Sequence, residues 1–85
     1  MNTGPTSREC TIQGIVTASA WDQEYNVVAV KIAVAGEEEF LVEQNPRGRE
    51  LLAHLREVLS ITGRLRDDGA GNKIITVDRF ERINP

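Results

Sequence analysis

Few side chains in this chain are equipped for covalent or acid–base chemistry. There is one histidine, His54, and one cysteine, Cys10. A nucleophile–base pair or a metal site needs several such groups at fixed spacing, and no such spacing occurs. No catalytic residue, no metal and no cofactor is therefore expected, and the chain is not read as an enzyme. Gly69-Ala70-Gly71 is followed by a strand pattern, whereas a phosphate-cradling loop opens a helix. Asp67-Asp68-Gly69 with Asn72 lacks the alternating ligands and distal glutamate of a calcium loop. Glu37-Glu38-Glu39 reads as a solvated corner. What remains is binding chemistry: the flat faces of Trp21 and Tyr25, and the cations Lys31, Arg64, Arg66 and Lys73. Eight of the ten basic residues are arginine, whose planar fork suits phosphate and carboxylate.

The elements that must position these groups are short. Eighty-five residues, 40% hydrophobic and 27% charged, have the composition of one small globular domain. Residues 1–9 are expected to be a flexible tail and residues 10–85 the domain. No run reaches the 18 or so apolar residues of a spanning helix, and residues 1–7 show no signal-peptide pattern. With one cysteine, a cytoplasmic setting is the expectation. The net charge of −3 is split unevenly, with −5 in residues 1–44 and +2 in residues 45–85. Acidic and basic strands of this kind can pair across a sheet.

Alternation of apolar and polar residues defines five strands. The first runs from Cys10 to Trp21, with Gly14 marking a bulge or tight bend. Asp22-Gln23-Glu24 interrupts the pattern. The second strand is Asn26 to Val34, with Val28, Val30, Ile32 and Val34 inward and Val27, Ala29, Lys31 and Ala33 outward. After a turn at Ala35-Gly36-Glu37, the third is Glu38 to Gln44, with Phe40 and Val42 inward. Period two then stops. Asn45 caps and Pro46 opens a helix over 46–56, whose Leu51, Leu52 and Leu55 share a face. Glu57 to Arg66 and Lys73 to Ile83 are the last strands, joined by Asp67–Asn72. Phe80 and Ile83 reach the core only if a bulge follows Asp78.

Three strands, a helix and two strands suit a barrel that closes on itself, its open end plugged by the leucines of the helix. The chain resembles a bacterial OB-fold domain over residues 10–83. The resemblance rests on Gly14-Ile15-Val16, the helix ending Leu51-Leu52-Ala53-His54-Leu55, Ser60-Ile61-Thr62-Gly63-Arg64-Leu65, and Gly71-Asn72-Lys73-Ile74-Ile75-Thr76-Val77. It is similar to the tRNA-binding-like (anticodon-binding-type) and stand-alone OB domains. An all-β, five-stranded OB barrel with a helix between strands three and four is therefore expected.

The resemblance implies binding of single-stranded DNA or RNA across strands two and three, between the loops Asp22–Tyr25 and Asp67–Asn72. Trp21 and Tyr25 would stack bases, while Lys31, Arg64, Arg66 and Lys73 would follow the phosphates. Strand three, however, offers Glu39 and Glu43 where such domains place aromatic or basic groups. The outward Ile15, Thr17, Val27, Ala29 and Ala33 support an alternative, a protein partner or a homodimer without nucleic acid.

Overall fold

The computed structural model describes residues 8–83. Five strands, β1 (Arg8–Trp21), β2 (Val27–Val34), β3 (Glu38–Val42), β4 (Val58–Asp67) and β5 (Lys73–Arg82), form a closed barrel in the order β1-β2-β3-β5-β4. A nine-residue helix lies between β3 and β4; its first turn, α1 (Pro46–Arg49), continues as a 3-10 turn over Glu50–His54. This is an OB-like architecture. The strand begins at Arg8, two residues earlier than expected, and the rest of the expected tail lies outside the described residues.

Closure depends on β1 serving two neighbours. Its first half pairs with β4, from Arg8↔Leu65 to Ile15↔Val58, and its second half with β2, from Ile15↔Ala33 to Trp21↔Val27. Gly14 lies where the partner changes, and a Cβ there would stand 2.5 Å from the Ala33 carbonyl oxygen. The ring closes through a short parallel contact between β3 and β5, Leu41↔Ile74 and Val42↔Ile75.

Inside are Val16, Val30, Ile32, Phe40, Val42, Leu51, Leu59, Ile61, Ile75 and Val77. Asn45 caps the helix as expected, its Oδ1 accepting from the Gly48 amide at 2.7 Å, with Pro46 at the first position. Leu51 is fully buried, and Leu52 packs at the edge of the core. Leu55 also packs there, but from outside the helix, because the chain turns extended at Leu55 and left-handed at Arg56 (φ 68°). Gly48 is more than a tolerated helix breaker: it is buried, and a Cβ would collide with the Glu43 carbonyl oxygen.

Bulges account for the remaining differences. Between Thr62↔Arg79 and Gly63↔Val77 one extra residue, Asp78, enters β5. That shift brings Phe80 against the core, as expected, whereas Ile83 stays 36% exposed on the outside. At Gly63 a side chain would collide with the Thr76 carbonyl, so glycine makes the bulge possible. A second irregularity was not foreseen. Ala18 faces Val30, Ala20 faces Ala29, and Trp21 faces Val27, so Ser19 and then Val28 are extra residues. Each extra residue reverses the alternation. Val28 is consequently 40% exposed and not inward, while Val27 packs against the core and not outward.

Candidate functional site

The two loops expected to flank a ligand are built on one plan. Asp22 Oδ1 accepts from the amides of Glu24 (2.8 Å) and Asn26 (2.9 Å), and its Oδ2 accepts from Asn26 Nδ2 at 3.3 Å. Asp68 Oδ1 accepts from the amides of Ala70 (2.7 Å) and Asn72 (3.1 Å), and its Oδ2 accepts from Asn72 Nδ2 at 2.8 Å. In each loop the aspartate amide also donates to the asparagine carbonyl. Short Asp and Asn side chains stabilise tight turns through such local bonds. They hold the carboxyl of Asp22 below its usual range chiefly through the Asn26 and Glu24 amides, and that of Asp68 chiefly through the Asn72 side chain. The spacing Asp-x-x-x-Asn occurs at both places in the chain and was the signal that could have revealed the pairing.

The loops differ at their tips. The residue before the asparagine has positive φ in both, 93° at Gly71 and 67° at Tyr25. For an L-residue this region costs roughly 1–2 kcal/mol. Tyr25 is held there 86% exposed, and Trp21, the last residue of β1, is 55% exposed. Both aromatic residues are thus displayed at the β1–β2 connection, Trp21 from the end of β1 and Tyr25 from the fixed loop.

The expected cations all lie outside the barrel. Cross-strand register sets Thr17, Lys31, Leu41, Ile74 and Arg66 in one row across β1, β2, β3, β5 and β4. Arg64 follows on β4 two residues from Arg66, and Lys73 opens β5. Three of them are clamped by β3 or the residue that follows it. Lys31 Nζ is 3.0 Å from Glu39, Lys73 Nζ 2.8 Å from Glu38, and Arg66 Nη2 2.9 Å from Glu43. Arg64 is looser, 3.9 Å from Asp78. Thr76 Oγ1 also donates to Glu43, and with Arg66 it keeps that carboxyl below its usual range. Glu38 holds the Lys73 ammonium above its usual value.

Pairing of acidic and basic strands across the sheet was expected, but Glu38, read as part of a solvated corner, was not expected to hold Lys73. The Lys73–Glu38 pair stands between two open clefts. One, of about 340 Å³, is lined by Phe40, Leu65, Arg66 and Asp67 beside the pair; the other, of about 210 Å³, by Glu39, Leu41, Gly71 and Asn72. Lys73 also lies 5.9 Å from the centre of the Phe40 ring.

His54 Nδ1 is 2.9 Å from Glu57 and its ring meets Phe80 edge-on at 5.2 Å. The Cys10 thiol is half-buried, and burial raises its pKa, the opposite of what a nucleophile needs. Among the described residues no three His, Cys, Asp or Glu side chains are grouped to hold a metal ion. No helix of the described residues is long and apolar enough to cross a membrane. The fold places this chain among OB-like barrels; no protein-family model matches it, and no curated protein matches its sequence.

Proposed function

We propose that this domain is a non-enzymatic binding module for single-stranded DNA or RNA, of the kind found in tRNA-binding-like and stand-alone OB domains. The observation that carries the reading is the pair of exposed aromatic side chains, Trp21 at the end of β1 and Tyr25 on the hydrogen-bonded loop that follows it. Every base has a flat face, and a stack on an aromatic side chain contributes about 1–3 kcal/mol. Arg64, Arg66, Lys31 and Lys73 surround the outer face and supply phosphate contacts, each exchanging a carboxylate for a phosphate. Trp21→Ala and Tyr25→Ala should each weaken binding of an oligonucleotide by about 5- to 150-fold, the equivalent of one lost stack. Fluorescence anisotropy with labelled oligothymidylate and oligouridylate measures it. Unchanged affinity in both variants would refute the reading.

A second reading is favoured by a separate observation. Ile15, Val58 and Ile83, each 36–45% exposed, are cross-strand neighbours on β1, β4 and the end of β5, and Ala33 faces Ile15 on β2. This apolar row replaces the patch expected from Ile15, Val27, Ala29 and Ala33, from which Val27 turns inward. It suits a protein partner or a second copy of the chain. If a dimer uses it, Val58→Glu should convert the dimer to a folded monomer in sedimentation experiments. A wild-type monomer at about 100 µM, where any association is weaker than about −5 kcal/mol, would remove the dimer from consideration.

A further inference from the structure

Three basic side chains on three different strands are neutralised from one short stretch of chain. Lys31 of β2, Arg66 of β4 and Lys73 of β5 pair with Glu39, Glu43 and Glu38 at 3.0, 2.9 and 2.8 Å. The carboxylates stand where the phosphates of a ligand would stand. Each phosphate that docks must therefore displace a carboxylate already bound to the backbone of the domain. Attraction to phosphate is the sequence- and shape-independent part of nucleic-acid binding, and it favours duplexes and other polyanions as readily as single strands. Around β3 that general attraction is opposed by built-in anions, whereas Trp21 and Tyr25, at the β1–β2 connection, are exposed for stacking.

We infer that Glu38, Glu39 and Glu43 set the specificity of the face: they refuse ligands that offer phosphate charge alone and admit those with unstacked bases. The inference rests on the single-strand reading given above. It assigns a role to the acidic stretch that solubility does not require, because each carboxylate is spent on a cation of the same surface.

The test compares wild type with Glu38→Gln/Glu39→Gln/Glu43→Gln against three probes: labelled oligothymidylate, a blunt DNA duplex and heparin. Wild type should prefer the single strand. In the variant, affinity for duplex and heparin should rise on the order of tenfold at low salt, because freed cations reach phosphate or sulfate. The salt slope for the single strand should steepen by about 2, from three contacts at about 0.7 each. If the triple variant is unfolded by circular dichroism, Glu38→Gln/Glu39→Gln leaves the Glu43–Arg66–Thr76 cluster intact and should show the same change with a slope steeper by about 1.4. Unchanged duplex and heparin affinity in a folded variant overturns the inference while the single-strand reading stands. A wild type that binds duplex as well as single strand does the same. Wild type that binds no single strand overturns the reading itself, and the selectivity with it.

Discussion

The two hairpin loops, Asp22–Asn26 and Asp68–Asn72, share a hydrogen-bond frame and differ in what they carry. In the β4–β5 loop the left-handed positions are glycines, Gly69 and Gly71, with φ of 84° and 93° and open space where a Cβ would go. Its conformation costs nothing and presents nothing. In the β1–β2 loop the same frame forces Tyr25 into a region that L-residues avoid, and Trp21 precedes it. Glu37 in the β2–β3 turn and Arg56 before β4 share that left-handed φ, at 66° and 68°, but neither carries an aromatic side chain. Strain retained at an exposed aromatic side chain is what a recognition loop would show.

The largest expected effect comes from making the two loops alike. Gln23→Gly, Glu24→Ala and Tyr25→Gly together rewrite the first loop with the sequence of the second, keeping Asp22 and Asn26. The barrel should stay folded, because the frame is retained and all three side chains are exposed. Binding of single strands should fall by at least the value of one stack, about fivefold or more. Full affinity in the rewritten protein would show that the loops differ by accident, and that any ligand is held elsewhere.

How far the loops and the barrel were legible in the sequence follows from what alternation can and cannot encode. The strands, their order along the chain and the plug were readable because Val30-Lys31-Ile32, Glu39-Phe40 and Leu59-Ser60-Ile61 alternate apolar with polar, and because Asn45-Pro46 interrupts the pattern. The bulge at Asp78 was readable because Phe80 had to be brought inward. The double bulge at Ser19 and Val28 was not, since Val27 and Val28 are the same residue type and either fits the core. Strand spacing put Lys31, Arg64 and Arg66 on the outside, whereas Trp21, Tyr25 and Lys73 were placed by their position at the loops. That acidic and basic strands would pair was readable, but which carboxylate meets which cation was not, because it depends on register between strands distant in sequence: Glu43 meets Arg66 across 23 residues and Glu38 meets Lys73 across 35.

A smaller effect tests the strain directly. Tyr25→Gly relieves a left-handed cost of roughly 1–2 kcal/mol and adds about 0.4–1 kcal/mol of chain entropy to the unfolded state. The domain should therefore become more stable by about 0.5–1 kcal/mol while its ligand binding weakens. Gly71→Ala is the mirror image. Nothing lies within 4 Å of the added Cβ, so the change is conformational and the loss should be of similar size. Urea denaturation of both variants decides it. Two changes of the same sign would mean that the frames are not equivalent.

The finest distinction lies in how each aspartate is kept ionised. Both carboxyls have folded pKa values below the usual 3.8, so both favour the folded state fully above that value. That contribution fades as pH falls through the depressed values, in the acid range below about 4. The causes differ in order. At Asp22 the amides of Asn26 and Glu24 act most, and the Asn26 side chain is a distant 3.3 Å. At Asp68 the Asn72 side chain comes first, at 2.8 Å. Truncating the asparagines should separate them, because a backbone amide survives the substitution and a side-chain amide does not. Asn72→Ala should raise the Asp68 pKa clearly, whereas Asn26→Ala should leave that of Asp22 nearly where it was. Carboxyl carbon chemical shifts followed from pH 6 to pH 2 report each site separately. Equal shifts at both would mean that the side-chain bond matters as much in one loop as in the other, and the asymmetry between the loops would then reside in Tyr25 and Trp21 alone.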